Sequence, residues 1–231
     1  MKAMILAAGL GTRMRPLTLK TPKPLLEVGG KPLIQWHIER LVEAGINELV
    51  VNHAWLGEQI ESYLGSGERL GCSIQYTAEG EPMETGGGIF NALHKLIKHE
   101  DERFLVVNAD VFCDLDFNAF LTPDLAEQDL GRLLMVKNPV WHDKGDFLFD
   151  QSSGYLQSNF GESLTFSGIS LLRGRLFHEC QPGVFPLAPL LRDAIARNQL
   201  QARKHLGFWS DIGTAERLDD VNQMLMRGEV E

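Results

Sequence analysis

The sequence predicts an α/β fold, a mostly parallel sheet with helices on both of its faces. Three observations carry that prediction. In the first half of the chain, short apolar runs alternate with segments whose apolar residues recur at helical spacing, which is the rhythm of strand–helix–strand units. The first apolar run, Lys2–Ala7, leads straight into a glycine turn, Gly9-Leu10-Gly11. That turn, Asn108-Ala109-Asp110 and Asp211 all fall at the ends of predicted strands, where open α/β sheets bind their ligands. A length of 231 residues with 44% hydrophobic and 23% charged content suits one domain with a large core.

The elements follow in order. Lys2–Ala7 reads as a buried strand; as a secretory leader it is too short and it ends in a glycine turn. Pro32 stands at a helix start, Ile34, Ile38, Leu41 and Val42 repeat at helical spacing, and Gly45 ends that helix. Glu48–Asn52 is a second strand, Leu56–Leu64 a helix, Ser73–Ala78 a third strand, Gly86–Leu96 a helix and Phe104–Asn108 a fourth strand. The second half is more mixed. Leu133–Lys137, Phe147–Phe149 and Thr165–Leu171 read as strands, Leu187–Ala196 and Ala215–Met226 as helices, and Phe208–Ser210 as a short strand ending at Asp211. No internal repeat, low-complexity linker or run of membrane-spanning length interrupts the pattern.

Charge and cysteine content narrow the function. A net charge of −9, spread along the chain, leaves no basic stripe for a nucleic-acid backbone. A small phosphorylated ligand needs only a few cations in one pocket and stays open. Cys72, Cys113 and Cys180 form no CxxC pair, which favours reduced, mostly buried thiols in a reducing compartment. There is no His-x-x-x-His pair for zinc and no Gly-x-Ser-x-Gly elbow for a serine hydrolase. His53, at a strand end, reads as a structural histidine.

The strongest chemical signal is the set Gly9, Gly11, Thr12, Arg13 and Lys23. Glycines let backbone N–H groups approach phosphate oxygens, and fixed cations neutralise the charge. Arg13, Arg15 and Lys23 stand among Pro16, Pro22 and Pro24, which hold the local backbone. The turn is neither a Walker A loop nor a complete Gly-x-Gly-x-x-Gly; its plain alternative is a tight turn with surface cations. Asp110 and Asp211, each at a strand end, suit a Mg²⁺ ion shared with substrate phosphates; the alternative is a turn aspartate or a helix cap. Thr214 is the better-placed cap for the helix at Ala215. In the segment Glu79 to Gly88, Gly86 could admit a flat ring and Glu81 could accept a base N–H. Uracil, guanine and cytosine all present such a donor. The alternative is a flexible loop in which Thr85 caps the next helix.

Together the stretch Leu6–Thr18 (LAAGLGTRMRPLT) and Pro22-Lys23-Pro24 resemble the signature of the sugar-phosphate nucleotidylyltransferases, and Asn108-Ala109-Asp110 and Asp211-Ile212-Gly213-Thr214 match later motifs of that family. The resemblance covers nearly the whole chain. It implies the three-layer, Rossmann-like, GT-A-like nucleotidyltransferase fold with a mixed central sheet. One domain, 1–231, would divide into a nucleotide-binding half of about 1–115 and a sugar-binding half of about 116–231. The implied reaction is attack of a sugar 1-phosphate oxygen on the α-phosphorus of a nucleoside triphosphate, with loss of pyrophosphate and no protein nucleophile. By matching positions, Leu6, Ala8, Gly9, Gly11, Thr12, Arg13, Lys23, Glu81, Gly86 and Asn108 would contact the nucleotide. Arg13, Lys23 and Asp110 would be catalytic, with Arg13 at the departing pyrophosphate and Lys23 near the α-phosphate. Asp110 and Asp211 would hold Mg²⁺.

Segments Glu79–Ile89, Asn52–Gly57 and Gly145-Asp146-Phe147 are most similar to the branch of the family that joins UTP to N-acetylmuramic acid 1-phosphate in peptidoglycan recycling. The expected partners are therefore UTP and that sugar phosphate. Alternatives are mannose 1-phosphate with GTP, glucose 1-phosphate with UTP or dTTP, or phosphocholine with CTP. Thymidylyl and uridylyl relatives often have glutamine where Glu81 stands here, and the family's Glu-Lys-Pro tripeptide is absent. Gly145, Asn159 and Glu162 are the candidates for the sugar pocket, and Lys144, Arg173 or Lys204 for meeting a lactyl carboxylate. With neither β-helix repeats nor extra helices after Glu231, a minimal, monomeric, cytoplasmic enzyme without membrane or nucleic-acid partners is expected.

Overall fold

A computed structural model describes residues 1–230. The chain opens with β1 (Lys2–Ala7), passes through three short 3₁₀ turns, the last at Lys23–Leu25, and forms a two-residue ribbon, β2 (Glu27–Val28) and β3 (Lys31–Pro32), before α1 (Leu33–Glu43). Then come β4 (Glu48–His53), α2 (Gly57–Leu64), β5 (Ser73–Ala78), α3 (Glu84–Leu96), β6 (Arg103–Asn108), β7 (Val111–Cys113) and α4 (Phe117–Leu121). The second half contains β8 (Gly131–Val136), β9 (Phe147–Asp150), β10 (Tyr155–Gln157), β11 (Glu162–Arg173), α5 (Ala188–Ala196), β12 (Leu200–Lys204), β13 (Trp209–Asp211) and α6 (Ala215–Met226).

Nine strands form the main sheet, in the order β5-β4-β1-β6-β11-β8-β12-β10-β9. β5, β4, β1 and β6 are parallel, as the alternation of strand and helix requires. β11 runs against both β6 and β8, β12 is parallel to β8, and β10 runs against β12 and β9. Only β11 and β10 oppose the common direction, so the sheet is mixed, with seven of its nine strands pointing the same way. β9 also pairs with the start of β11, so β11, β8, β12, β10 and β9 close a circuit of pairings. A separate antiparallel pair, β7 and β13, sets Asp211 opposite Val111.

Alternation along the strands makes the three layers. Ala3, Ile5, Leu49, Val51, Leu105 and Val107 face one side and pack on Ile34, Ile38 and Leu41 of α1, Ile60 of α2 and Phe120 of α4. Met4, Val50, Phe104 and Val106 face the other side, against Ile89 and Leu96 of α3 and Leu191 and Ile195 of α5. Burying one such side chain contributes about 1.5–3 kcal/mol, the driving force for this layering. A smaller cluster joins Met14, Val28, Leu33, Phe112 and Ile212 to Leu218 and Val221 of α6. It joins α6 to Met14, just past the glycine turn.

The structure departs from the sequence expectations at particular elements. The strand expected at Thr165–Leu171 is the 12-residue β11, whose pairing with β8 is broken between Phe166 and Ser170. α3 begins at Glu84 and receives no side-chain cap from Thr85. Thr214 does cap α6, its hydroxyl accepting the Arg217 N–H. All three cysteines are free. Among the described residues no helix is long and apolar enough to cross a membrane.

Candidate active site

The carboxyl ends of β1, β4 and β6 are in adjacent register: Leu6 pairs with both Asn52 and Asn108. β4 and β6 therefore bring Asn52 and Asn108 to one edge, on either side of the end of β1. Asn52 ties two loops together there. Its Oδ1 accepts the Ala7 N–H at 2.9 Å, and its Nδ2 donates to Glu79 Oε1 at 2.6 Å. Beyond β1 the chain turns sharply. Gly11 has φ 60°, a left-handed conformation that strains any residue with a Cβ. The Gly11 carbonyl accepts Met14 N–H at 2.9 Å and the Thr18 hydroxyl at 2.7 Å, which folds the turn back on itself.

Lys23 opens the turn Lys23–Leu25 between Pro22 and Pro24. Its ammonium donates to Asp110 Oδ2 at 2.6 Å while its side chain is only 9% exposed. A buried ammonium needs a counter-charge, and Asp110 provides one just past the end of β6. Behind this pair lies His37 of α1, buried, with Nε2 lacking any hydrogen-bond partner. Burial pushes its imidazole down to about 4, outweighing the backbone hydrogen bond to Val111, so it is neutral at ordinary pH.

Two clefts meet at this edge. The first, about 460 Å³, is lined by Leu6, Ala8, Gly9, Gly11, Thr12, Arg13, Lys23, Asn108 and Asp110, and also by Glu79, Glu84 and Gly213. The second, about 360 Å³, is lined by Arg13, Asn108, Asp110, Trp141, Gly168 and Asp211 among others. Arg13, Asn108 and Asp110 border both, forming the partition between the two. Gly168, at φ 86° within the irregular part of β11, lets that strand pass Asn108; a Cβ there would lie 2.7 Å from Asn108 Nδ2.

Several anticipated residues lie elsewhere. Glu81 is exposed and outside the cleft lining, whereas Glu79 is buried within it, accepting from Asn52 Nδ2 and from the Met83 N–H at 3.0 Å. Gly86 is also outside the lining. The space a Cβ would take there is filled by Phe185, whose ring carbon would be 2.6 Å away, so this glycine serves helix packing. Gly145, Asn159 and Glu162 line neither cleft. Gly145 sits in a turn against Asn138 and Ser163, Asn159 is exposed, and Glu162 pairs with Lys204 at 2.6 Å. Arg173 donates to the carbonyls of Asp129, Asp101, Leu125 and Ala126, bracing the loop before β8, and Lys144 is exposed. Lys204 and Arg173 thus already have partners away from the clefts.

Asp110 and Asp211 are brought together. The Ile212 N–H donates to the Asp110 carbonyl at 2.7 Å across the β7/β13 pair, and both side chains line the second cleft. Each carboxylate is half engaged. Asp110 Oδ2 takes Lys23, and Asp211 Oδ1 takes Arg217 and the Trp141 indole N–H, the latter at 3.0 Å. Among the described residues, Asp110 Oδ1 and Asp211 Oδ2 accept no hydrogen bond. Two free carboxylate oxygens beside the second cleft match the hard, oxygen-only donor set that Mg²⁺ completes with substrate phosphates and water. The sequence reading gave no role to Asn52, Glu79, Trp141, Gly213 or Arg217; Asn52, Glu79 and Gly213 stood inside motifs already marked, and Arg217 lies six residues past Asp211.

Comparison with known proteins gives a consistent result. The nucleotidyl transferase family model matches residues 2–145. The chain is 48% identical over 229 residues to an N-acetylmuramate alpha-1-phosphate uridylyltransferase of Neisseria meningitidis, covering 97% of this chain and 98% of that one. It is 31% identical over 221 residues to the mannose-1-phosphate guanylyltransferase catalytic subunit beta of Xenopus tropicalis, spanning 92% of this chain but 61% of that relative's length. Among solved structures, a Bacillus anthracis protein named for glucose-1-phosphate thymidylyltransferase and crystallised with sucrose superposes with a TM-score of 0.84 at 22% identity, over 96% of this chain and 94% of that one. HddC of Yersinia pseudotuberculosis, in complex with GMP-PN, gives 0.78 at 23% identity, over 97% and 99%. At such identities the superpositions speak for the fold alone.

Proposed function

This chain belongs to the nucleotidyl transferase family, and we propose that it transfers a uridylyl group from UTP to N-acetyl-α-D-muramic acid 1-phosphate, giving UDP-N-acetylmuramic acid and pyrophosphate. The observation that carries the substrate pair is its end-to-end likeness to the meningococcal uridylyltransferase. The arrangement of the two clefts supports the reaction class. UTP occupies the first cleft, the sugar phosphate the second, and the shared wall of Arg13, Asn108 and Asp110 marks where the α-phosphorus meets its nucleophile.

In this reading the phosphate turn wraps the triphosphate, with N–H groups near Gly9, Gly11 and Thr12 directed at its oxygens. Arg13, bordering both clefts, stabilises the leaving pyrophosphate. Lys23, fixed by Asp110, is aimed at the α-phosphate, where negative charge is greatest in transfer. The sugar phosphate oxygen is already anionic, so no general base is required. Catalysis comes from alignment and charge stabilisation. Asp110 Oδ1 and Asp211 Oδ2 would hold a magnesium ion, which when bound neutralises phosphate charge and templates the two substrates. We assign the enzyme to cytoplasmic peptidoglycan recycling as a monomer, with the uracil edge read from the Glu79–Thr85 side of the first cleft.

The guanylyltransferase relatives favour a second reading, GTP with mannose 1-phosphate. Pyrophosphate release measured over a matrix of UTP, GTP, CTP and dTTP against N-acetylmuramic acid, mannose and glucose 1-phosphates decides between them. The UTP and N-acetylmuramic acid 1-phosphate pair should exceed every other pair. If another combination turns over as well or better, the specific assignment fails while the reaction class stands.

A further inference from the structure

Arg217 is the third residue of α6, and its guanidinium reaches back to Asp211, bonding both the Oδ1 and, at 3.2 Å, the backbone carbonyl. The same guanidinium stacks on the indole of Trp141, 4.4 Å from the ring centroid. Trp141 closes the triangle by donating its indole N–H to the same Asp211 oxygen at 3.0 Å. These three residues come from three separate elements: β13, α6 and the turn Val140–His142.

A purely structural reading of this triangle leaves two observations unexplained. The helix start is already capped by Thr214, so α6 has no need of Asp211. Trp141 is 54% exposed and lies on the second cleft, so its placement is not driven by core burial. Both donors converge on one oxygen of Asp211 and leave the other without a partner among the described residues. That free oxygen lies beside Gly213, which borders the first cleft; a Cβ on Gly213 would approach Asp211 Oδ2 and Arg217 Nη2 to 2.9 Å each. Gly213, having no Cβ, thus leaves that oxygen uncovered on its own side.

We propose that Arg217 and Trp141 are positioning residues that clamp Asp211 by Oδ1, so that Oδ2 alone is presented to the divalent ion shared with the nucleotide. The proposal rests on the reading of Asp211 as a metal ligand. A carboxylate fixed by two donors loses its rotamer freedom before the ion arrives, and groups of this kind behind metal ligands typically govern affinity by 10- to 100-fold. Because Trp141 also walls the second cleft, the same indole links the sugar-phosphate site to the orientation of the metal carboxylate. A positive charge so near an ion should by itself weaken metal binding. The sign of the effect therefore separates a clamp from a mere counter-charge.

The test is the strengthening of UTP binding by Mn²⁺, measured by calorimetry without sugar phosphate. Wild type should bind UTP more tightly with Mn²⁺ than in EDTA. Arg217→Met keeps an apolar stem against the indole and removes the guanidinium; it should lose roughly tenfold of the Mn²⁺-dependent gain, with UTP affinity in EDTA unchanged. Arg217→Lys should recover only part of the gain. Trp141→Phe, a change at an exposed ring with little risk to folding, should lose a few-fold. An unchanged or larger gain in folded Arg217→Met overturns the clamp, as does full recovery by lysine. Asp211→Asn tells the two levels apart. If it loses the gain while Arg217→Met retains it, the clamp alone is wrong. If Asp211→Asn retains the full gain, Asp211 is no metal ligand and both readings fall.

Discussion

At the scale of single residues, the site depends on charges placed where water would otherwise solvate them. Lys23 is mostly buried, and its only ion-pair partner among the described residues is Asp110. Lys23→Ala should reduce kcat by on the order of 10²–10³, the usual consequence of deleting one charge-stabilising donor. Asp110→Asn should abolish most turnover and also lower the melting temperature, since it leaves a buried ammonium without its counter-charge. Near-normal steady-state rates at limiting Mg²⁺ in either variant would remove the residue from the mechanism. His37 gives a second residue-scale prediction, concerning pH. Its folded pKa of about 4 lies below the ordinary histidine value of 6.5. Between these values the unfolded chain binds more protons than the native one, so stability is full above pH 6.5 and falls as the pH drops toward 4, by about 3 kcal/mol over the window. The groups acting on the ring are the Val111 backbone and Arg40 and Asp110. Chemical denaturation of wild type and His37→Leu at pH 7 and pH 5 checks this. The variant should lose less stability on acidification, and parallel losses would show that His37 does not drive the acid sensitivity.

At the scale of elements, the start of α3 shows how packing shapes the edge of the first cleft. Gly86, Gly87 and Gly88 are all buried. An added Cβ at Gly87 would lie 2.3 Å from the Gly183 carbonyl oxygen, and one at Gly88 would lie 2.7 Å from Glu79 Oε1. Gly87→Ala meets backbone that cannot rotate away. It should destabilise the protein by about 1–3 kcal/mol despite alanine's better helix propensity, read as a lower urea midpoint with unchanged slope; an unchanged midpoint would mean that the 183–185 segment is free to move. Glycines at a helix start can equally well admit a ligand or a neighbouring segment, and their order in the chain does not distinguish the two. The Glu79–Gly88 segment was hard to read for this reason: Glu79 is held in the cleft by Asn52, far away in sequence, while Glu81 is exposed. The phosphate turn was legible because its glycines, prolines and cations act within a few residues of one another. The buried strands β1, β4 and β6 were legible because a strand covered on both faces is a nearly unbroken apolar run, and the edge strand β5 because exposed and buried residues largely alternate along it. β10 and β12 were not, being short and largely half-buried, and the break around Gly168 hid the full length of β11.

At the scale of the whole molecule, the question is whether the two halves of the chain, before and after about residue 115, can part. Chains longer than about 150 residues often unfold through intermediates or domain by domain, so 231 residues alone would permit two steps. The strand order argues otherwise. β11 belongs by sequence to the second half, yet it pairs with β6 of the first half over Arg103–Val107 and with β8 and β9 of its own. One apolar cluster contains Met4, Val50, Ile89 and Phe104 together with Phe147, Leu156, Leu164 and Leu200. The last helix, α6, packs on Val28 and Leu33 near the start of the chain. Separating the halves would expose an interior sheet edge and divide a continuous core, so the two should unfold together. Scanning calorimetry should give a single transition whose calorimetric and van't Hoff enthalpies agree. UTP with Mg²⁺ at about a hundred times its dissociation constant should raise that transition as one, by about 2.7 kcal/mol, or about 5–10 °C for a chain of this size. A resolved second transition, with UTP shifting only one of the two, would show that the halves are separate folding units despite the shared strand.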